Sequence, residues 1–480
     1  MSKFNENLYS RQIITYGKNI MKKILNLKIL IIGLRGLGIE ISKNIILSGP
    51  KELYISDKNK CKINDLGTNF YINEDDVDNI SRENACFEKL SLLNPYVKIS
   101  IYKGNLKEDL ILNKFNLIII TEILNIENLY EINDICRHNN ICFIYTLNFG
   151  LTGYLFNDFG DNHIIKDVNG EKNLIYHIFN IEEKEDNYEI FLDIKNEETL
   201  DLKEGEYVIF KDVKGLEFLN DDVEKKILKI TNNSFEIKKI KNNNLKYIEG
   251  GIVEEFKQEK ILKFNSFKNN LFTPNNNYII IEQNKKYFNI LLHCSFVGLH
   301  KYYSIKNKLP ELNNFEEINE IIELCYNYYL EIKKNNLDYL IIKKKNKIIE
   351  FNKEYITNVL RWSKSEINPI TSFLGGIVSQ EAIKITGKYM PIYQWLRFDF
   401  FEIIKNIPNN CNRHLLNCRY DDQIAIFGQE IQEKLKNLNI FIIGAGALGC
   451  EYLKNFALMG IGTNNNNIIT VTDNDNIVSN

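Results

Sequence analysis

The sequence predicts a mostly parallel, doubly wound α/β fold that begins twice in one chain, with a small β-rich domain and a helical bundle between the two starts. An ungapped internal repeat is the first observation behind this. The stretch "YSRQIITYGKNIMKKILNLKILIIGLRGLGIEISKNIILSG", from Tyr9, aligns with "YDDQIAIFGQEIQEKLKNLNIFIIGAGALGCEYLKNFALMG", from Tyr420, at a constant offset of 411 positions (420 minus 9). Tyr9, Gln12, Gly17, Asn26, Gly33, Gly38, Glu40, Lys43, Asn44 and Gly49 match Tyr420, Gln423, Gly428, Asn437, Gly444, Gly449, Glu451, Lys454, Asn455 and Gly460. The second observation is a glycine turn in each copy, after an apolar run and before a helix-length segment. The third is a change of rhythm, from alternating strands and helices to short strands and then to helices alone.

Each copy reads as a helix, an apolar strand, the glycine turn, a second helix and a second strand ending at Asp57 or Asp473. That order opens a nucleotide-binding α/β unit. The runs "KISIY", "NLIIIT", "IENLYEINDICRHNN" and "ICFIYTLN" extend the first copy by further β/α steps. After about residue 163, "YEIFLDI", "EYVIFKDV", "KILKIT" and "SFEIKKI" form short alternating runs between polar turns, the pattern of a small antiparallel sheet. Between roughly 280 and 390 the segments "KKYFNILLHCSFVGLHKYYSI", "FEEINEIIELCYNYYLEIKK" and "PITSFLGGIVSQEAIKIT" have helical length. Asparagine runs ("KNNNLK", "TPNNNY", "GTNNNNI") fall between apolar segments, where loops absorb insertions at little entropic cost. The run Lys343 to Lys347 reads as a solvated loop.

A chain of 480 residues outgrows a single core, so three or more folding units are expected. The 44% hydrophobic share argues for a large core and against wholesale disorder. Lys and Arg number 60 against 63 Asp and Glu, a net charge of −3, which gives no basic surplus for nucleic acid or an anionic membrane. The N-terminus lacks the apolar core of a signal peptide, and no uninterrupted apolar stretch has spanning length; a soluble intracellular chain is expected. Nine cysteines without a CxxC pair read as reduced thiols, and Cys411, His414 and Cys418 lack a fourth zinc ligand. Cys450 is expected to be a buried helix thiol, and His293 and His300 core or surface histidines.

In "GAGALG", Gly444, Gly446 and Gly449 allow a turn whose backbone N–H groups approach phosphates at a helix N-terminus. Ala447 is small enough to keep a nucleotide close. Asp473, at the following strand end, is placed to accept hydrogen bonds from a ribose, with Asp475 as a secondary candidate. These features alone also suit a dinucleotide-dependent oxidoreductase. The first copy departs from the pattern, because Arg35 stands where the second copy has Gly446.

The motifs "LYSRQ", "GLRGLGIEISKNIILSG", "EGEYVIFKDVKGLEFLN", "YIEGGIVEEFK", "INPITSFLGGIVSQEAIKITGKYMPIYQWLRFD", "RYDDQIAIFGQEIQEKL", "IIGAGALGCEYLKNFALMG" and "VTDNDNIVSN" run in order along nearly the whole chain. Together they resemble the N-terminal half of single-chain ubiquitin-activating enzymes, of the ThiF-like adenylation type. The resemblance implies a Rossmann-like fold in this layout: an inactive adenylation domain over 1–162, a β-rich first catalytic-cysteine half-domain over 163–265, a four-helix bundle over 266–355, a return to the inactive domain over 356–408, and the start of an active adenylation domain over 409–480. It further implies ATP with Mg2+, adenylation of the C-terminal carboxylate of ubiquitin or a ubiquitin-like protein, and a thioester on a cysteine not found in this chain. Ubiquitin-conjugating enzymes would be partners, the complete chain a monomer, and its location the cytoplasm and nucleus. On this resemblance the chain is expected to be a fragment, inactive alone. A non-catalytic partner of a separate activating subunit is the alternative.

The resemblance also assigns residues. Thr68 stands where the active pattern has a phosphate-binding arginine, and Thr121 and Glu122 replace an Asp-Asn pair. Arg11 would reach across a pseudo-twofold interface to the nucleotide of the second copy. Its counterpart Asp422, if the geometry is reciprocal, would face the first copy's pocket and repel a nucleotide.

Overall fold

The computed structural model describes residues 7–194, 200–239, 245–272, 288–335, 337–342, 347–408 and 410–475. Two of the asparagine runs lie wholly or largely outside these residues, as do Lys343 to Asn346 and the end of "VTDNDNIVSN". Two compact units are present. The larger comprises 1–163, 262–386 and 391–480, and the smaller 164–261 with 387–390.

In the larger unit, α1 (Ser10–Tyr16) and α2 (Lys18–Ile24) lead into β1 (Lys28–Ile32), α3 (Gly36–Ser48) and β2 (Glu52–Ser56). Then come α4 (Arg82–Ser91), β3 (Lys98–Ile101), α5 (Leu106–Ile111), β4 (Leu117–Ile120), α6 (Ile126–His138), β5 (Cys142–Phe149) and β6 (Thr152–Asp158). These strands and a late one, which returns after residue 390, form a seven-stranded sheet. From one edge inward, β3, β2, β1, β4 and β5 run parallel, and the last two strands pair antiparallel. The "LIII" of β4 is buried at every position, as a parallel strand covered on both faces must be. Side chains alternate between two cores: Ile29 and Ile31 of β1 pack in one, with residues of α3 and α4, and Leu30 packs in the other.

The short strands β7 (His163–Ile165) and β14 (Lys260–Leu262) pair with each other. The smaller unit is a closed six-stranded antiparallel barrel of β8 (Ile175–Glu183), β9 (Asn187–Leu192), β10 (Tyr207–Lys211), β11 (Lys225–Ile230), β12 (Ser234–Lys238) and β13 (Ile252–Phe256). Its strands alternate, β9 burying every second residue, and Ile190, Phe210, Phe235 and Ile237 fill the interior. Closure leaves no free edge to pair with another chain.

The helices α7 (Phe267–Phe272), α8 (Phe288–Lys306), α9 (Phe315–Asn335) and α10 (Lys353–Leu360) add to the core containing Leu30, and two strands of two residues each, β15 (Ile341–Ile342) and β16 (Lys347–Ile348), pair antiparallel. Helix α8 is buried along most of its length, which explains its apolar run. His293 and His300 lie inside; Nε2 of the first is 2.9 Å from the Leu271 carbonyl and Nε2 of the second 3.0 Å from the Tyr145 hydroxyl. Burial lowers the pKa of both, His300 to about 3, so both are neutral core groups. Helix α11 (Asn368–Lys384) packs along α3 and hands the chain to the last strand of the seven-stranded sheet, β17 (Trp395–Asp399).

The second copy repeats the order with α12 (Asp421–Phe427), α13 (Gln429–Lys436), β18 (Ile440–Ile443), α14 (Ala447–Met459) and β19 (Ile469–Thr472), whose two strands pair in parallel. The copies meet through equivalent residues. Lys43 Nζ lies 2.5 Å from Glu451 Oε1, and Lys454 donates reciprocally to Glu40. Within each helix the same residues pair at 3.1 Å (Lys43 and Glu40) and 2.8 Å (Lys454 and Glu451). Such reciprocity is the signature of a twofold interface, built here inside one chain. A second matched pair fixes each copy's first helix: Tyr9 lies against Gly49 and Tyr420 against Gly460, too close for any Cβ.

Candidate functional site

The two glycine turns share one backbone plan. Gly33 and Gly444 have φ of +96° and +98°, which only glycine takes without strain. Their N–H groups donate to Ser56 O at 2.9 Å and Thr472 O at 2.8 Å, tying the turn to the end of the second strand. Leu34 N donates to Asp57 Oδ2 at 2.9 Å, and Ala445 N to Asp473 Oδ2 at 2.5 Å. The other carboxylate oxygen accepts from Asn59 N at 3.0 Å in the first copy and from Asp475 N at 2.8 Å in the second. Asp473 therefore first holds the turn in shape. The N–H groups of Asp475 and Ala445 keep its carboxyl below the usual range. Asp475 contributes its backbone, and its side chain is exposed.

What surrounds the turns differs. In the second copy, a Cβ built on Gly444 or Gly446 meets nothing within 4 Å. Gly446, Ala447 and Leu448 are exposed, while Gly449 is buried beneath the turn. Among the described residues, no side chain accepts from the first N–H groups of α14. Cys450, expected to be buried, is exposed, with its Sγ 3.0 Å from Ala445 O. The α14 face that carries it has nothing packed over it.

In the first copy the same space is full. A Cβ on Gly36 would lie 2.5 Å from Thr68 Cβ and 2.9 Å from Glu366 Oε2. Leu37 N, at the start of α3, donates to Glu366 Oε2 at 3.3 Å. Thr121 Oγ1 caps the turn by donating to Gly33 O at 2.9 Å. Arg35 does not project into solvent. It pairs with Asp65 at 3.7 Å and with Glu366 and Asp422 at 3.6 Å each. Asp422, on α12 of the second copy, also accepts from Glu366 N at 2.9 Å, so it reaches the first copy's turn, where it pairs with an arginine. Burial pushes its carboxyl up to about 6, against the pull of Arg35. Arg82 donates to the same Asp57 Oδ2 at 3.3 Å and to Asp65 Oδ2 at 2.7 Å. The space left is about 170 Å³, below the several hundred Å³ of ordinary ligand sites.

Glu122 lines that remnant. Burial, aided by Asp57, pushes its carboxyl up to about 7. An acid whose folded pKa is raised binds more protons folded than unfolded, so stability falls as pH rises from about 4.5 through about 7. Glu122→Gln is expected to remove this dependence and to raise stability at pH 8 by about 1–2 kcal/mol, after allowance for partial exposure. Denaturant midpoints at pH 5 and pH 8 measure it; an unchanged pH slope contradicts it.

Arg11 is exposed on α1 and forms no ion pair among the described residues. Sequence reasoning missed Glu366. Its acid lies two residues before "NPITSF", and no local pattern ties it to a turn more than three hundred positions earlier.

The chain is 35% identical over 481 residues to "Ubiquitin-like modifier-activating enzyme 1" of Dictyostelium discoideum, covering 99% of this chain and 45% of that protein. It is 33% identical over 478 residues to "Ubiquitin-activating enzyme E1 1" of Triticum aestivum (99% and 44%), and 33% identical over 481 residues to "Ubiquitin-like modifier-activating enzyme 1" of Homo sapiens (98% and 43%). The chain thus spans less than half the length of these relatives. Residues 9–415 and 420–480 match the ThiF family, the parallel sheet with its glycine turn is the matching architecture, and the chain belongs to that family.

Proposed function

We propose that this chain is the nucleotide-selecting part of an ATP-dependent ubiquitin-activating enzyme, with ATP at the second copy's glycine turn. The carrying observation is the contrast at the two helix N-termini: among the described residues no side chain takes the first N–H groups of α14, whereas at α3 the Glu366 carboxylate takes the Leu37 N–H and crowds Gly36. Gly444, Gly446 and Gly449 shape the turn, Ala447 keeps its rim low, and phosphate oxygens would accept from the N–H groups at the start of α14. Asp473 holds Ala445 N in place and has lone pairs left for a ribose hydroxyl.

Arg11 enters by symmetry. Its equivalent, Asp422, sits 3.6 Å from Arg35 on the first copy's turn. The reciprocal Lys and Glu pairs relate the copies by a pseudo-twofold, and by that symmetry Arg11 would reach toward the second copy's turn. A guanidinium there would steady the phosphates while a carboxylate attacks the α-phosphorus and pyrophosphate leaves. ATP would bring Mg2+, an ion that needs only one or two protein carboxylates beside the phosphates. The carboxylate would come from the C-terminus of ubiquitin or a ubiquitin-like protein, and the acyl group would pass to a cysteine and then to ubiquitin-conjugating enzymes in the cytoplasm and nucleus.

Arg11→Ala should weaken ATP binding by about tenfold or more, the weight of a charge-assisted contact, and Thr68→Ala should leave it unchanged. Equilibrium binding of labelled ATP to the two variants decides. Equal losses, or tighter binding of NADH than of ATP, overturn the reading.

A further inference from the structure

We propose that Glu366 is a built-in anion, a carboxylate of the chain that occupies the phosphate position of the first copy and so decides which of the two turns accepts a nucleotide. The occupant is seen in place. Glu366 is 5% exposed, its Oε2 takes the Leu37 N–H at the start of the thirteen-residue α3, and its Oε1 faces Arg35 Nη1 at 3.6 Å. This is the arrangement a bound phosphate makes with a helix N-terminus and an arginine. Gly36 leaves the room for it, since a Cβ there would meet Oε2 at 2.9 Å.

Two further groups lock the occupant. Asp422 accepts from the Glu366 backbone N–H and shares Arg35, so the second copy's first helix holds the loop bearing Glu366 against the turn. Gly150 N donates to Ser365 O at 2.8 Å from the other side. Next to Glu366, the remnant cavity is also lined by Asn148, which is 5% exposed. Its Oδ1 has no hydrogen-bond partner among the described residues. A polar recess persists there with its anion position already taken. The departure at Arg35 then has a reason: the long side chain in the turn is the cation this internal anion requires.

Other charged groups bear on the position. Asp57 and Asp65 are neutralised mainly by Arg82. With Glu366 and Asp422 present, four carboxylates surround two arginines and Glu122 lines the remnant beside them, which is hostile to any incoming phosphate. Removing both leaves Asp57 and Asp65 against Arg35 and Arg82, with the N-terminus of α3 exposed.

The test counts binding of inorganic pyrophosphate to the full chain. The double variant Glu366→Ala with Asp422→Asn should take up one equivalent more than the wild type, bound at the start of α3. Asp422→Asn alone should gain none, because Glu366 still fills the position. If the double variant does not fold, Glu366→Ser, which keeps a short hydroxyl beside Leu37 N, replaces it. Wild-type crystals soaked in pyrophosphate should show no anion at the start of α3. An extra equivalent with Asp422→Asn alone, no gain in a folded Glu366 variant, or soaked anion displacing Glu366 overturns the proposal. It draws on the adenylation reading only for the importance of phosphate, and pyrophosphate counts at the first turn stand even if the second turn fails to bind ATP.

Discussion

Arg35→Ala lowers the stability of the larger unit by about 3–5 kcal/mol, the cost of removing one member of a buried charge cluster. The side chain lies between Asp65, Glu366 and Asp422, all of them buried, at 3.6–3.7 Å. Alanine strands Glu366 and Asp422, whose desolvation Arg35 now offsets, and leaves Asp65 to Arg82 alone. They can escape only by binding protons, so the deficit is largest at high pH. Burial already raises Asp422 to about 6 and also raises Glu366, and without Arg35 both go higher. A raised acid makes folded chains bind more protons than unfolded ones, and stability then falls as pH increases. Denaturant midpoints at pH 8 should therefore fall more than at pH 5. Adding Glu366→Gln to Arg35→Ala should return part of the loss by removing one stranded charge. A loss below 1 kcal/mol, or one that grows toward acid pH, would mean that Arg35 is not the keystone of this cluster.

The repeat was fully legible in the sequence because it is written in identical residues at fixed spacing. Glu40, Lys43, Glu451 and Lys454 appear there as matched positions, and the structure shows them to be each other's partners. The parallel sheet was legible from "LIII" and "KILII", where apolar runs without alternation mean burial on both faces. The barrel showed itself through period-two runs, although its closure depends on β8 pairing with β13, which no local pattern states. At the site, the turn glycines and the strand-end aspartates could be read, since their contacts are local. The occupant of the first turn could not. Glu366 reaches it only because α11 packs along α3, and Asp422 only because the two copies dock. Cys450 was misjudged for the same reason: its helix has the length and spacing of a packed one, but the face carrying it is uncovered.

Gly38→Val and Gly449→Val separate the two copies in opposite ways. A Cβ at either position would lie 2.0 Å from a backbone carbonyl oxygen, that of Gly33 or of Gly444. Backbone cannot rotate away as a side chain can, so the turn must move. At Gly38 it has nowhere to go. Thr121 Oγ1 would stand 2.8 Å from the new atom, Gly33 and the residues around it are packed in, and α11 lies along the helix. Overpacking there is expected to cost about 3 kcal/mol or more. At Gly449 the neighbouring Gly446, Ala447 and Leu448 are exposed, and a Cβ meets only Gly444 within 4 Å. The turn can shift outward there at smaller cost in stability. That shift would displace the N–H groups that the proposed phosphate site depends on, and misplacement of a binding group by about 1 Å is costly. Gly38→Val should thus lower the melting temperature and leave ATP binding intact in the folded fraction. Gly449→Val should abolish ATP binding with little change in melting. Calorimetric melts and ATP titrations of both variants read the two effects apart. The reverse pattern would assign the nucleotide to the first copy.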